Sequence, residues 1–367
     1  MKICIICNFG PFPNPYYGGS IGGSENVIKN ISEILIKQYN CNIDIYAHNY
    51  KRTSVYNNIN LFPCPQENKL IDKIAHNYDN ILIYSDSFWN MSSIIKHIDK
   101  IDCKVSICLV GAYFLQSHFD ILKLLKQNIN KFNLITHSSI TPDYQWCIDN
   151  DLPVIVIPNG VDLSEFNNSI IFREKNYINK KFILCSISNF FYGKGQPYLI
   201  DIGSKLSKLR DDFCIVSISS TIKDYPYEKL FLKRTKDKYK NDFPLYFLRD
   251  IPREDVISAL LSSDLFIFTS LKEVAPLVII ESIASGLPWI SFNVGNVKEL
   301  DGGVIINCDI KDNKGYLSPS LKNIDNYVDT INKLLNDETK RQQLVVKTED
   351  KFSWDNIVDK YYELFTN

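Results

Sequence analysis

Two carboxylates, Glu273 and Glu281, stand in a stretch that is otherwise almost free of charge: Ser270-Leu271-Lys272-Glu273-Val274-Ala275-Pro276-Leu277-Val278-Ile279-Ile280-Glu281-Ser282-Ile283-Ala284-Ser285-Gly286-Leu287-Pro288. Pro276 suits the first position of a helix and Gly286 its C′ stop, so the segment predicts a helix whose one charge is Glu281. A carboxylate on an apolar, buried helix is destabilising unless it is paired or hydrogen-bonded. A ligand diol would satisfy it, and so would a neighbouring Lys. The free N–H groups of Ala275, Leu277 and Val278 add the positive end of the helix dipole, an anion site for which phosphate is the natural guest. Taken alone, a Glu in a loop and a Glu on a helix are more often structural than functional.

Lys194 lies between two glycines in Phe191-Tyr192-Gly193-Lys194-Gly195. A Lys on such a loop can aim its ammonium at a diphosphate as a point charge while the glycines let the backbone close in. The plain alternative is a solvated surface Lys. Nearer the start, Gly18-Gly19-Ser20-Ile21-Gly22-Gly23-Ser24-Glu25 separates a strand from a helix. Its glycines permit close approach to a ligand, but the spacing is not that of a dinucleotide fingerprint.

These blocks together resemble the retaining glycosyltransferases of family 4, the glycosyl transferases group 1, which have the GT-B fold of two Rossmann-like domains. Glu273 and Glu281 reproduce the family's Glu-x7-Glu spacing. Gly22-Gly23-Ser24-Glu25 is similar to its N-terminal glycine loop. Val156-Ile157-Pro158-Asn159-Gly160-Val161-Asp162 is similar to its inter-domain strand and turn, the Lys194 loop to its phosphate loop, and Phe352-Ser353-Trp354 to the start of its closing helix.

The resemblance implies a nucleotide-sugar donor held by the second domain, with Glu281 on the ribose diol and Lys194 and Gly195 at the diphosphate. Glu273 would take the sugar hydroxyls, and the segment Ala275, Pro276, Leu277 and Val278 the phosphate or sugar oxygens. Gly22 and Gly23 would meet the donor's sugar-phosphate and the acceptor. It implies a glycan, lipid-linked or protein acceptor, no cofactor and no metal. The chain departs from the family twice. Asn189 stands five residues before Lys194 where an Arg is usual, so one of the two diphosphate clamps is neutral and donor affinity or turnover would be reduced, unless a cation elsewhere, for example Arg249 or Lys272, compensates. The strand Val105-Ser106-Ile107-Cys108-Leu109 runs into Val110-Gly111-Ala112-Tyr113 without the His that many members carry there, and neither His118 nor His137 replaces it. Two rival readings remain: a non-catalytic nucleotide-sugar-binding protein, and a nucleotide-sugar epimerase of the same fold.

Other signals carry less. Cys4 and Cys7 have a Cys-x-x-Cys spacing, but on a strand they face opposite ways and cannot share a metal. Asp149-Asn150-Asp151 precedes Leu152-Pro153 and reads as a helix-to-strand connection.

The elements that must hold these residues follow one grammar, in which apolar β-rich runs alternate with loops and amphipathic helices, as in parallel α/β layers. In the first half the expected strands are Lys2–Cys7, Asn42–Ala47, Asn80–Tyr84, Lys104–Leu109, Leu134–Thr136 and Val154–Ile157. In the second they are Phe182–Ser188, Phe213–Ser219, Leu245–Leu248, Leu265–Phe268, Trp289–Phe292 and Gly303–Ile306. Two Rossmann-like domains are expected at 1–165 and 166–350. Helices are expected at Asn323–Leu335, Glu338–Lys347 and Trp354–Phe365, and residues 351–367 would form a closing helix that packs back on the first domain.

With 367 residues, 41 basic against 42 acidic side chains and a net charge of −1, the chain has no field to gather nucleic acid. No apolar run reaches the ~18 residues of a membrane span, which leaves peripheral membrane contact open. The start is too short for a signal sequence, and the ten scattered cysteines suit reduced core thiols. A cytoplasmic location is expected.

Overall fold

A computed structural model describes residues 1–8, 23–48, 50–84, 94–110, 115, 119–167, 171–176, 178–190, 192–220, 243–310, 315–346 and 352–366. Runs such as β1 (Lys2–Cys7) and β10 (Phe213–Ser219) are rich in Ile and buried nearly end to end, as strands covered on both faces must be. They fall into two compact units. Among the described residues, 1–8, those from 23 to 160 and 352–366 make the first, and those from 161 to 346 the second. Residues 161–165, read from sequence as the end of the first domain, lie with the second, because Glu165 pairs there with Arg253.

The first unit holds one sheet in the order β3-β4-β2-β1-β5-β6-β7-β8. Its members after β1 are β2 (Asn42–Ala47), β3 (Ser54–Tyr56), β4 (Ile59–Pro63), β5 (Asn80–Tyr84), β6 (Lys104–Cys108), β7 (Phe132–Thr136) and β8 (Val154–Val156). All neighbours are parallel except β3 and β4, a hairpin the sequence reading did not anticipate. Its turn is Asn57-Asn58, both at positive φ (45° and 64°), which Asn tolerates better than most residues.

The helix Trp354–Thr366 belongs to this first unit. Tyr362 stacks on Tyr39 of the helix Gly23–Tyr39 with ring centroids 3.7 Å apart, and the Tyr39 hydroxyl donates to Asp359 at 2.5 Å. Asn80 donates to the Phe365 carbonyl at 2.9 Å, while Ile357, Val358 and Tyr361 are buried. A Cβ at Gly160 would stand 2.7 Å from the Trp354 ring, so only glycine lets the helix seat.

The second unit holds a fully parallel sheet in the order β11-β10-β9-β12-β13-β14. The strands besides β10 are β9 (Phe182–Ile187), β11 (Leu245–Arg249), β12 (Leu265–Phe268), β13 (Trp289–Phe292) and β14 (Gly303–Ile306). Its core includes Phe213, Phe266, Trp289 and Tyr327. Tyr327, on the helix Leu321–Asn336, is fully buried but satisfied. Its hydroxyl donates to the Ile290 carbonyl at 2.5 Å and accepts from the Phe268 N–H at 3.0 Å, tying β12 to β13. The helix expected to reach Lys347 runs from Glu338 to Leu344, and Lys347 lies outside the described residues.

Among the described residues no helix is long and apolar enough to cross a membrane. All ten cysteines are free. Burial pushes the Cys4 and Cys7 thiols up, which suits core packing. The helix Pro142–Asp149 ends at Asn150, and Asp151 takes a positive φ before β8, the connection expected there.

Candidate functional site

Three loops at the carboxyl ends of β9, β12 and β13 meet in the second unit. After β9 the chain makes a 3-10 turn at Tyr192–Lys194, passes through Gly195 at φ +64° and enters the helix Gln196–Leu206. Gly195 is a steric requirement as well as a conformational one: a Cβ there would overlap the Thr269 carbonyl oxygen. The Leu271 N–H donates to the Gly193 carbonyl at 2.7 Å, so the loops after β9 and β12 are joined by their backbones.

That junction sets the side chains. Lys194 Nζ lies 2.6 Å from Glu273 Oε1, and the Ser270 hydroxyl donates to the same oxygen at 2.6 Å. The Glu273 side chain is 12% exposed and that of Lys194 30%, so the pair is sheltered yet reachable. The loop after β13 closes the third side, since a Cβ at Gly295 would sit 2.7 Å from the Val274 carbonyl and 3.0 Å from Glu273 Cβ. Sequence reading did not single out Ser270, although its place three residues before Glu273 was a usable signal.

The next helix runs Leu277–Ala284 with Pro276 as N-cap, one position earlier than the first-turn place expected for it. Pro276 is extended (φ −69°, ψ 115°), so the helix proper begins one residue later. Leu277 and Val278 open that helix, where N–H groups find no intrahelical carbonyl. Gly286 takes φ +67° just past the C-cap Ser285, as a C′ glycine does.

Glu281 is 6% exposed and its partner is neither of the two expected. Arg253 opens the helix Arg253–Leu261 and donates Nη2–H to Glu281 Oε1 at 2.6 Å. The same guanidinium is held by Glu165, with Nη2 at 2.7 Å from Oε2 and Nε at 3.2 Å from both oxygens. Burial works against the Arg253 charge, and Glu281 and Glu165 outweigh it, raising its pKa above the ordinary value. Sequence reading missed Arg253 and Glu165, which are far apart along the chain and carry no local signature.

The remaining expected residues are more scattered. Asn189 is half-buried, and its carbonyl accepts from the Gln196 amide, which also donates to Ser188 Oγ at 3.1 Å. Gln196 Oε1 and Asn296 Oδ1 are buried without a hydrogen-bond partner among the described residues. Arg249 is exposed at the end of β11, its guanidinium 5.1 Å from the centre of the Phe247 ring. Lys272 Nζ lies 5.2 Å from the Tyr316 ring centre. Gly22 and His118 lie outside the described residues, and Gly23 opens the first helix.

His137 follows β7 and is fully used inside the first unit. Nδ1–H donates to the Ile157 carbonyl at 2.9 Å, leaving Nε2 to accept from the Tyr84 hydroxyl at 2.9 Å. Burial lowers its pKa, so the ring is neutral and structural. Among the described residues no group of three or more His, Cys, Asp or Glu could hold a metal ion.

Comparison with known proteins adds sequence and fold relatives. The family model described as glycosyl transferases group 1 matches residues 168–351. A human protein named as one of the subunits of phosphatidylinositol N-acetylglucosaminyltransferase is 25% identical over 181 residues, covering 49% of this chain and 34% of that protein. An uncharacterized glycosyltransferase of Methanocaldococcus jannaschii is 23% identical over 223 residues, covering 58% and 53%. The matches thus span about a third to a half of these curated relatives' lengths. Among solved structures, Anabaena HepE in complex with UDP-glucose superposes with a TM-score of 0.73 at 17% identity, covering 100% of this chain and 99% of that one. The sucrose-phosphate synthase of Thermosynechococcus elongatus gives 0.75 at 14% identity, covering 100% and 98%. The fold of two parallel α/β domains is the GT-B fold.

Proposed function

We propose, on the premise that this chain belongs to the family of glycosyl transferases group 1, that it is a retaining glycosyltransferase acting without a metal. It moves a sugar from a nucleotide diphosphate donor, a UDP- or GDP-sugar, to a glycan, lipid-linked or protein acceptor. The observation that carries the reading is the Lys194–Glu273 pair, set between a glycine loop and a helix start at the carboxyl edge of a parallel sheet, where open α/β folds take their ligands. The UDP-glucose in the HepE structure supports a UDP-sugar as donor, and the name of the phosphatidylinositol relative supports a lipid-linked acceptor.

In this mechanism the Lys194 ammonium turns from Glu273 to the diphosphate, and the freed Glu273 oxygen accepts from the sugar hydroxyls. The Leu277 and Val278 N–H groups face phosphate oxygens, and Glu281 accepts from the ribose diol. The bond from the anomeric carbon to the phosphate oxygen breaks as the acceptor oxygen bonds to the same face. The acceptor's proton passes to the leaving phosphate, and a nucleoside diphosphate departs. Charge grows on that phosphate, so the cation beside it is the main catalytic asset.

Thermal-shift screening against a panel of UDP- and GDP-sugars, followed by NMR of the product's anomeric configuration, tests the proposal. A stabilising donor and a product of retained configuration support it, whereas a panel without effect or an inverted product overturns it. Two further results are expected. Glu281→Gln keeps the fold and weakens donor binding by about 1–3 kcal/mol, the size of a lost charged hydrogen bond; calorimetric titration reads it, and unchanged affinity would make Glu281 structural. EDTA leaves turnover within about twofold, because Lys194 and the helix start meet the phosphate charge. Loss of rate restored by Mg²⁺ or Mn²⁺ would instead place a metal at the diphosphate.

A further inference from the structure

We propose that Arg253, steered by Glu165, is a positioning residue for nucleotide recognition: it fixes the Glu281 carboxylate through Oε1 so that Oε2 receives the ribose hydroxyls. The inference rests on the reading of Glu281 as the ribose site and adds to it the two residues that make the carboxylate usable.

Glu281 is the one charge on the apolar helix Leu277–Ala284 and is almost wholly buried. An uncompensated carboxylate in such a place is held against its desolvation and is free to swing between rotamers. Arg253 removes both problems with one contact, Nη2 to Oε1 at 2.6 Å. That contact is directed because the guanidinium is planar and Glu165 grips it through both Nε and Nη2. Glu281 Oε2 has no hydrogen-bond partner among the described residues. Two carboxylates share one guanidinium, so the cluster keeps one negative charge in excess, and the open oxygen is a ready acceptor for hydroxyl donors. A neutral amide at Glu281 or an apolar side chain at Arg253 would lose either the charge or the aim.

The test is a calorimetric cycle that pairs protein variants with ligand hydroxyls. Wild type, Arg253→Met, Arg253→Lys and Glu165→Gln are titrated with UDP and GDP, and with the 2′,3′-dideoxy form of whichever binds more tightly. Wild type is expected to lose about 10–100-fold in affinity on removal of the hydroxyls. Arg253→Met is expected to shrink that ratio to about threefold or less, with Arg253→Lys and Glu165→Gln intermediate. A wild-type ratio preserved in Arg253→Met overturns the inference, and so does a wild type that binds the nucleotide but ignores its hydroxyls. If Arg253→Met fails to fold, an unchanged ratio in both Arg253→Lys and Glu165→Gln overturns it equally. A wild type that binds neither UDP nor GDP overturns the proposed function itself, which separates the two failures.

Discussion

Lys194→Ala is expected to lower kcat/KM for sugar transfer by about 10²–10³-fold, the scale seen when one preorganised donor to a developing anion is removed. The loop that carries the ammonium is in place before the donor arrives, held by the Leu271–Gly193 backbone contact, so the side chain has only to turn from Glu273. Part of the loss should fall on kcat. Charge on the leaving phosphate is larger in the transition state than in the bound donor, so a cation there stabilises the former more. Initial rates across donor concentrations separate the two effects. A variant within about threefold of wild type would mean that Lys194 only anchors Glu273.

Gly195→Ala is expected to reduce transfer by about 10²-fold or more, although it adds a single methyl group far smaller than any ligand. The residue sits at φ +64°, where a side chain is strained by roughly 1–2 kcal/mol. Its Cβ would also overlap the Thr269 carbonyl oxygen. That neighbour is backbone and cannot rotate away, so the loop carrying Lys194 must shift, and a misplacement of ~1 Å at a reacting centre costs on the order of 10²-fold. Full activity, with a melting midpoint equal to wild type, would show that the loop accommodates the methyl without moving the ammonium.

The parallel strands were legible because burial on both faces leaves uninterrupted apolar runs, and β1, β2, β5, β10, β12, β13 and β14 have the bounds those runs suggested. The hairpin β3–β4 was not, because Ser54–Tyr56 is exposed along its length and offers no apolar run. Asn57-Asn58 between two short β-rich pieces was the available signal. At the site, the family resemblance assigned Glu273 and Lys194 to one donor, but it could not foresee who would pair with Glu281. Arg253 reaches it from another helix and is itself held by Glu165 from the turn Leu163–Asn167, and such contacts depend on tertiary geometry that no local pattern encodes. Of the two partners expected for Glu281, a ligand diol or a Lys, neither is the observed one: a planar guanidinium can bridge two carboxylates in a way a single ammonium point charge does not.

The helix Trp354–Thr366 completes a unit whose other residues end at Gly160, and this has a consequence for how the chain is made. The described residues of the second unit, which run from 161 to 346, include no named strand after the one that ends at Ile306. The first unit has its own strands much earlier but lacks the cover that Ile357, Val358 and Tyr361 supply. At roughly 5–20 residues per second, that cover leaves the ribosome on the order of ten seconds or more after Gly160. The half of the protein that is translated first is therefore the half that is finished last, and in the interval its uncovered apolar surface is open to chaperones and to neighbouring nascent chains.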